Sequence, residues 1–168
     1  MVDTESWQKE EVALSYIHVS ASRQIGAPPD RVYAILADYH QAHPGILPKQ
    51  FFRRLEVEEG GVGAGTRTKL EVQFMGTTRT MHHVVSEPMP GRVLVETDVN
   101  GTSITTFTVD PVGNGLQCTV TIDTEIKSHD GFLSLLARPL ATLMLRRVYL
   151  QELALLAGYA ASASKIKK

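Results

Sequence analysis

Histidines are the residues of this sequence that most readily suggest chemistry, because four of them come in two close pairs. His40 and His43 lie three positions apart, and His82 and His83 are adjacent. A zinc site needs three or four ligands that converge on the ion at ~2.0–2.1 Å. Neighbouring residues on a strand point to opposite faces, so His82 and His83 cannot both join one site. The sequence therefore predicts no metal site.

His83 on its own is a candidate for contact with a ligand. Residues 79–86 alternate, and the set that contains Met81, His83 and Val85 is the more apolar one, so we place it towards the interior. Small-molecule pockets have mostly apolar walls in which a few polar groups fix the orientation of the ligand. A core histidine bonded to a neighbouring side chain would give the same pattern, and both interpretations stay open.

Two arginines are candidates for binding the charged end of a ligand. Alternation places Arg53 on the apolar side near a strand end, where its guanidinium could hold a carboxylate through two hydrogen bonds. It could equally reach solvent along its aliphatic stem. Arg147 lies within one helical turn of Met144 and could close one end of a cavity. The remaining ligand-binding positions that we expect are Phe51, Phe74, Phe107, Leu140 and Met144.

The stretch DYHQAHPGILPKQFF, residues 38–52, is stiffened by two prolines and is rich in apolar side chains. We interpret it as the rim or lid of a cavity, with His43, Ile46 and Leu47 at the mouth. In this interpretation His43 faces solvent or the entrance. The alternative is that the stretch only packs short helices onto a sheet.

Composition and motifs exclude several classes of function. The 17 basic and 18 acidic residues give a net charge of −1, so we expect no nucleic-acid partner. The single cysteine, Cys118, rules out a disulfide framework and is expected to be a buried, inert thiol. No apolar segment reaches the ~18 residues of a membrane span, and a cytoplasmic location is expected. Nucleotide-binding and nucleophile-elbow motifs do not occur, and no cofactor is expected.

Seven segments alternate between apolar and polar residues, which predicts seven strands. The first covers residues 15–25, and the other six lie between residues 51 and 126. Asn100-Gly101 between the fifth and sixth segments is a strong hairpin signal. Two short helices are expected between the first two strands, and the first of these helices begins at Pro29.

Apolar residues in the C-terminal part, from Gly131 to about Ser162, have helical spacing. We expect a bend near Arg138 and a long helix from Pro139, because a proline disturbs a straight helix. The chain is expected to divide into a loose arm, one domain and a basic tail, at residues 1–12, 13–163 and 164–168.

The apolar face of a seven-stranded antiparallel sheet must be covered. A helix of ~24 residues, about 36 Å long at ~1.5 Å per residue, is the only large apolar partner in the sequence. One rod does not fill the concavity of a strongly curved sheet. The space that remains is either plugged by large side chains or hollow.

Three stretches carry a resemblance to a known family. They are the opening VSASRQIGAPPDRVYAILADY, the turn EPMPGR at residues 87–92 and the closing amphipathic helix. They resemble the polyketide cyclase/dehydrase and lipid-transport superfamily, the helix-grip group that includes START domains, over about residues 14–160. The resemblance implies an α+β helix-grip fold, in which a curved, seven-stranded antiparallel sheet wraps around the C-terminal helix and encloses an apolar cavity. The shared motifs are structural, so the resemblance assigns no catalytic residue.

The resemblance leaves three functions open. The leading one is binding, for transport or sensing, of a hydrophobic or amphipathic small molecule. The second is an enzyme of the cyclase/dehydratase type, which needs at least two polar groups converging in the cavity, such as His83 with Tyr16, Tyr33 or Arg53. The third is a protein-interaction or stress-accessory module, which would have a packed interior and an exposed apolar patch. The oligomeric state stays open, with a homodimer as one option.

Overall fold

The computed structural model describes residues 15–74, 76–128 and 132–162. Within these residues the chain forms seven strands and three helices in the predicted order. Their bounds are β1 (Ser15–Ile25), α1 (Pro29–Ala37), α2 (His43–Ile46), β2 (Phe52–Glu59), β3 (Arg67–Phe74), β4 (Thr77–Met89), β5 (Val93–Asp98), β6 (Ser103–Val112), β7 (Gln117–Ser128) and α3 (Phe132–Ser162).

All seven strands belong to one curved sheet with the order β1-β7-β6-β5-β4-β3-β2. Every neighbouring pair is antiparallel. Strands β2 to β7 form a meander, and β1 pairs with β7 at the far edge. The helix α3 packs mainly against β1 and the two short helices. The predicted α+β helix-grip fold is confirmed.

Alternation along the strands follows from the single apolar face of the sheet. In β1, Val19 and Ala21 are buried beneath the helices, whereas His18 and Ser22 on the other face are exposed. On β7, Cys118 is fully buried, and burial raises the pKa of its thiol, as expected of an unreactive cysteine. One half of the concave face is covered by an apolar core, whose members include Val32, Leu36, Ile46, Leu153 and Leu156.

Two proline-containing segments continue further than the sequence predicted. Strand β4 runs through Pro88, where two residues, Glu87 and Pro88, lie opposite Leu94 in a bulge between Ser86 and Met89. A bulged position does not need a ladder hydrogen bond, so a residue without N–H is tolerated there. Strand β6 likewise includes Pro111, which lies beyond the part of β6 that pairs with β5.

The helix α3 is continuous from Phe132 to Ser162 and contains Pro139 in its interior. The long helix therefore begins at Phe132 and not at Pro139, and the bend expected near Arg138 stays a prediction. Proline removes one hydrogen bond, but tertiary packing of the helix outweighs local propensity. No helix within the described residues is long and apolar enough to cross a membrane. The predicted arm and basic tail, residues 1–12 and 164–168, lie outside the described residues.

Candidate ligand-binding cavity

The concave face of the sheet and α3 enclose a cavity of about 880 Å³. Each of the seven strands contributes to its wall, as do α2 and α3. Most of the wall is apolar, and its largest side chains include Ile17, Phe51, Phe52, Leu55, Leu70, Met81, Phe107 and Ile122. The space between α3 and the part of the concave face that the core does not cover is therefore a cavity.

The cavity has an exposed mouth and a buried inner end. Lining residues Thr77, Arg79, Thr102 and Lys127 are exposed, and the two cations among them lie at the mouth. At the opposite end the lining residues are polar and are buried or half-buried. This inner end is formed by His43, Glu96, Thr105, Thr124, Tyr149 and Glu152.

One face of α3 forms the side of the cavity that the sheet does not supply. Its lining residues are spaced by four, three, one and three positions, which places them on one stripe of a helix with 3.6 residues per turn. They are Ala141, Leu145, Val148, Tyr149 and Glu152. The stripe begins with a half-buried alanine and ends with a buried carboxylate, so the helix runs from the mouth towards the inner end.

Glu96 is held at the inner end by residues from the α1–α2 corner. The Tyr39 hydroxyl donates a hydrogen bond of 2.6 Å to Glu96 Oε1. His43 Nδ1 lies 2.7 Å from the Leu36 carbonyl oxygen, which can only accept, so Nδ1 carries a hydrogen. The other ring nitrogen, Nε2, therefore faces Glu96 Oε1, at 3.7 Å. The His43 ring is fixed further by stacking on Tyr39, with ring centroids 4.5 Å apart.

Glu152 belongs to the part of the cavity wall that α3 forms, and its side chain is buried. Its Oε1 atom has no hydrogen-bond partner among the residues that the structure describes. Burial raises the pKa of Glu152 well above its usual range, and repulsion from the Glu96 carboxylate adds to this effect. Glu152 is therefore a carboxyl group that resists ionisation in the empty protein.

Hydroxyl groups complete the inner end. The Tyr149 and Thr124 oxygens are 2.6 Å apart, and Thr124 is 3.0 Å from the Thr105 oxygen. Burial raises the pKa of Tyr149, as it does that of Tyr39, where Glu96 adds to the effect, so both phenols keep their protons. The inner end thus contains two carboxyl groups, one phenol, one imidazole and two threonines, and the Tyr39 phenol donates to Glu96 from outside the lining.

A second polar row crosses the sheet nearer the mouth. His83 lies opposite Thr68 on β3 and opposite Asp98 on β5. Asp98 accepts a hydrogen bond from the Thr102 hydroxyl through Oδ2, and its Oδ1 atom has no partner among the described residues. His83 is buried and lines the cavity, which is the inward register that we expected. His82 points to the other face, with Nδ1 at 3.2 Å from Glu58.

Six of the residues singled out in the sequence line the cavity. They are His43, Leu47, Phe51, Met81, His83 and Phe107. The side chain of Phe74 lies outside what the structure describes. Within the described ranges, no three His, Cys, Asp or Glu side chains are grouped as a metal ion would require.

The inward placement of Arg53 is wrong. A register shift lies between Phe52 and Arg54 on β2, and the extra residue reverses the alternation at that point. Arg53 is exposed, and its Nε donates a hydrogen bond of 2.6 Å to Gln73 Oε1. Its guanidinium is therefore a surface group of the strand and lies outside the cavity wall.

Three positions expected on the cavity side of α3 lie elsewhere on the helix. Leu140 and Arg147 are exposed, and Met144 is half-buried but does not line the cavity. Each directly precedes a lining residue, and one position along a helix turns the side chain by about 100°. The leucine-rich composition of α3 gave no way to choose between these faces.

The mouth that we expected around residues 38–52 is also different. Ile46 is fully buried in the core and does not line the cavity, and His43 is buried at the inner end instead of facing solvent. Leu47 lines the cavity but is buried as well. The stretch closes the inner end of the cavity, because α1 and α2 pack over this half of the sheet.

Sequence reasoning missed the residues that give the inner end its chemistry. On β5 the valines at 93 and 95 alternate with Leu94, Glu96 and Asp98, and it is the second, more polar set that faces inwards. Glu152 could have been noticed, because it continues the helical spacing of Leu145 and Val148. An acidic residue in register with an apolar stripe is rare unless it is paired or functional.

Comparison with known proteins agrees with this fold. The family model described as polyketide cyclase / dehydrase and lipid transport matches residues 16–161. No curated protein matches the chain. Among solved structures, the KanY protein is 26% identical, with a TM-score of 0.76 over 88% of this chain and 99% of that one.

Two further structures share the fold at lower identity. A protein from Thermus thermophilus, TTHA0849, is 22% identical, with a TM-score of 0.71 over 88% of this chain and 99% of its own. The Zhui aromatase/cyclase from Streptomyces sp. R1128 is 16% identical, with a TM-score of 0.68 over 88% of this chain and 94% of its own.

Proposed function

Because the chain belongs to the polyketide cyclase/dehydrase and lipid-transport family, we propose that it binds a hydrophobic or amphipathic small molecule between the sheet and α3, for transport or sensing. The observation that carries this proposal is the cavity of about 880 Å³. Ligand pockets measure roughly 300–1,000 Å³ and have apolar walls with a few convergent polar groups. The wall and inner end described above have this composition.

The size of the cavity also sets what the ligand must be. Burial of ~500 Å² of apolar ligand surface at ~25 cal/mol per Å² contributes roughly 12 kcal/mol. Association costs about 4–15 kcal/mol, so a small apolar ligand would bind weakly. The ligand is therefore expected to fill much of the cavity and to use the polar inner end as well.

Native mass spectrometry of protein purified from its own host tests the proposal. A co-purifying molecule in the mass range of a lipid or a polycyclic aromatic compound is the expected result. Titration with Nile red, an uncharged apolar dye, is the second measurement, with fluorescence enhancement at one site per chain. Absence of any guest together with absence of dye binding would contradict the proposal.

An enzyme of the cyclase/dehydratase type is the second candidate, and one observation favours it. Two carboxyl groups share the inner end, and the environment of Glu152 keeps it protonated whereas Glu96 accepts a hydrogen bond from Tyr39. Such a pair suits general acid and general base roles. In a dehydration, Glu96 would take a proton from carbon, and Glu152 would protonate the hydroxyl that leaves as water.

The polar partners first considered for such an enzyme are not the ones that converge. Tyr16 is exposed, and the Tyr33 hydroxyl donates to Glu87, which does not line the cavity. Turnover of a β-hydroxy ketone that is lost in Glu96→Gln, with Nile red affinity unchanged, would support an enzyme. The third alternative required a packed interior, which does not match the cavity.

A further inference from the structure

Two carboxyl groups, those of Glu96 and Glu152, meet at the inner end of the cavity without any lysine or arginine among the described lining residues there. We propose that this end receives a protonated amine carried on the apolar body of the ligand. This inference rests on the proposed binding function and names the polar group that the ligand presents to Glu96 and Glu152.

The first argument is the surplus of hydrogen-bond acceptors. Glu152 Oε1 is buried and has no donor partner among the described residues. Glu96 Oε1 accepts from Tyr39, and the hydrogen on His43 Nδ1 goes to a backbone carbonyl and not to either carboxyl group. A buried acceptor without a donor costs about 1–3 kcal/mol. An ammonium group supplies three donors and no acceptor, which complements this arrangement once Glu152 has released its proton.

The second argument is the distribution of charge along the cavity. The lysine and arginine that line the wall, Arg79 and Lys127, are both at the exposed mouth. A ligand carboxylate at the inner end would therefore lie beside Glu96 and Glu152 without a permanent cation to balance it. A hydroxyl group would supply one donor only. An ammonium group is attracted by both carboxyl groups in an enclosure where such attraction is weakly screened.

Binding of an ammonium group would change the protonation of Glu152. The titratable groups near it are Glu96 from β5, Tyr39 from the α1–α2 corner and Tyr149 from its own helix, and His43 faces Glu96. Burial and Glu96 raise the pKa of Glu152, which favours its protonated form. A cation beside it lowers this pKa again, and the proton leaves to solvent. The affinity for an amine should therefore increase with pH while the amine itself stays protonated.

Isothermal titration calorimetry with three probes of equal chain length tests the inference. Decylamine, decan-1-ol and decanoic acid are compared below their aggregation concentrations, between about pH 5 and pH 8, where an alkylamine remains protonated. Decylamine should bind at least tenfold more tightly than either of the others. Its affinity should increase with pH, and buffers of different ionisation enthalpy should show release of a proton.

Glu152→Gln is the matched variant, because it removes the ionisable group at nearly constant shape. Its decylamine affinity should fall at least tenfold and lose its pH dependence, whereas decan-1-ol affinity stays within twofold. Glu125→Gln, on an exposed position of β7, makes the same chemical change away from the cavity and should behave as wild type.

The outcomes separate this inference from the proposed function. Equal or tighter binding of decan-1-ol or decanoic acid would overturn the amine inference and leave small-molecule binding intact. Failure of all three probes and of Nile red would overturn both. If Glu152→Gln does not fold, the pH slope and proton release of the wild-type protein decide the question without a substitution.

Discussion

The Tyr39 hydroxyl donates a hydrogen bond of 2.6 Å to Glu96 Oε1 and so joins the α1–α2 corner to the centre of the sheet. The two residues are 57 positions apart in the chain. Tyr39 is almost completely buried, and its ring is covered by His43. The same contact therefore positions a cavity carboxylate and closes the inner end.

Substitution Tyr39→Phe removes this hydrogen bond and leaves an acceptor of Glu96 without its donor. Hydrogen bonds to charged groups contribute about 1.5–3 kcal/mol, and we expect the free energy of unfolding to fall by this amount. Urea denaturation followed by circular dichroism measures the change. Tyr16→Phe, at an exposed position of β1, is the control and should change stability by less than ~0.5 kcal/mol. Equal effects of the two substitutions would contradict the assignment.

Stability should depend on pH through Glu152. Its pKa is raised by burial and by Glu96, so the folded protein binds this proton more tightly than the unfolded chain does. The stabilisation that this proton gives is fully present below the ordinary pKa of a glutamate, near 4.5. It is lost as the pH rises towards the pKa of Glu152 in the folded protein. The limiting slope is about 1.4 kcal/mol per pH unit.

Urea denaturation at a series of pH values measures this contribution as the difference between wild type and Glu152→Gln. The difference should change with pH only above about 4.5, in the direction that makes the variant relatively more stable at higher pH. Glu125→Gln should parallel the wild type throughout. A difference that stays constant with pH would show that Glu152 titrates normally.

The cavity can be filled from α3. Ala141→Trp places a bulky ring in the lining stripe, and Nile red affinity should fall at least tenfold, because the ring occupies the volume that the dye needs. Ala154→Trp is the control, because Ala154 is exposed on the same helix. Fluorescence titration measures both affinities, and thermal unfolding checks that both variants fold. An unchanged affinity in Ala141→Trp would place the dye outside the cavity.

The β2–β3 loop should be sensitive to a methyl group at one glycine and less so at another. Gly63 has φ +61°, and a Cβ there would lie 2.4 Å from Glu87 Oε2, which accepts a hydrogen bond from the Ala64 amide at 2.7 Å. Gly65 has φ +86°, but a Cβ there meets nothing within 4 Å. Both alanine substitutions carry the cost of a left-handed conformation, roughly 1–2 kcal/mol.

Gly63→Ala should also displace the Glu87 carboxylate from the Ala64 amide and the Tyr33 hydroxyl. We therefore expect Gly63→Ala to lower the free energy of unfolding by about 1.5–3 kcal/mol more than Gly65→Ala does. Urea denaturation of the two variants gives the difference directly. Equal destabilisation would mean that Glu87 moves aside without loss.

Alternation predicted the fold because the sheet has one apolar face, and seven such patterns leave few arrangements. Apolar residues such as Val19 and Ile122 are buried on that face, as the alternation predicts. Arg53 does not follow the alternation, because a bulge of one extra residue exchanges the inward and outward faces of β2. Nothing in the residue types of the strand indicates this bulge. A sequence pattern therefore determines the strands more reliably than it determines which side chains reach the cavity.

The inner end was not predictable from local sequence for a different reason. Glu96 is tolerated inside because Tyr39 and His43 arrive from the α1–α2 corner, and Glu152 comes from α3. Such contacts between distant segments appear only when the chain is folded. His83 was identified because its alternation partners on the same strand are apolar, which is a local signal.

The sheet order has a consequence for how the chain acquires its structure. Strands β2 to β6 each pair with the next strand along the sequence, whereas β1 pairs with β7, so Ser15 meets Ser128. Contacts between segments this far apart in the sequence form slowly. Until β1 pairs with β7, the backbone hydrogen-bonding groups of β1 remain without partners. During synthesis, β1 leaves the ribosome before the other six strands but pairs only after β7 has been made. It is therefore the strand most exposed to pairing with another chain.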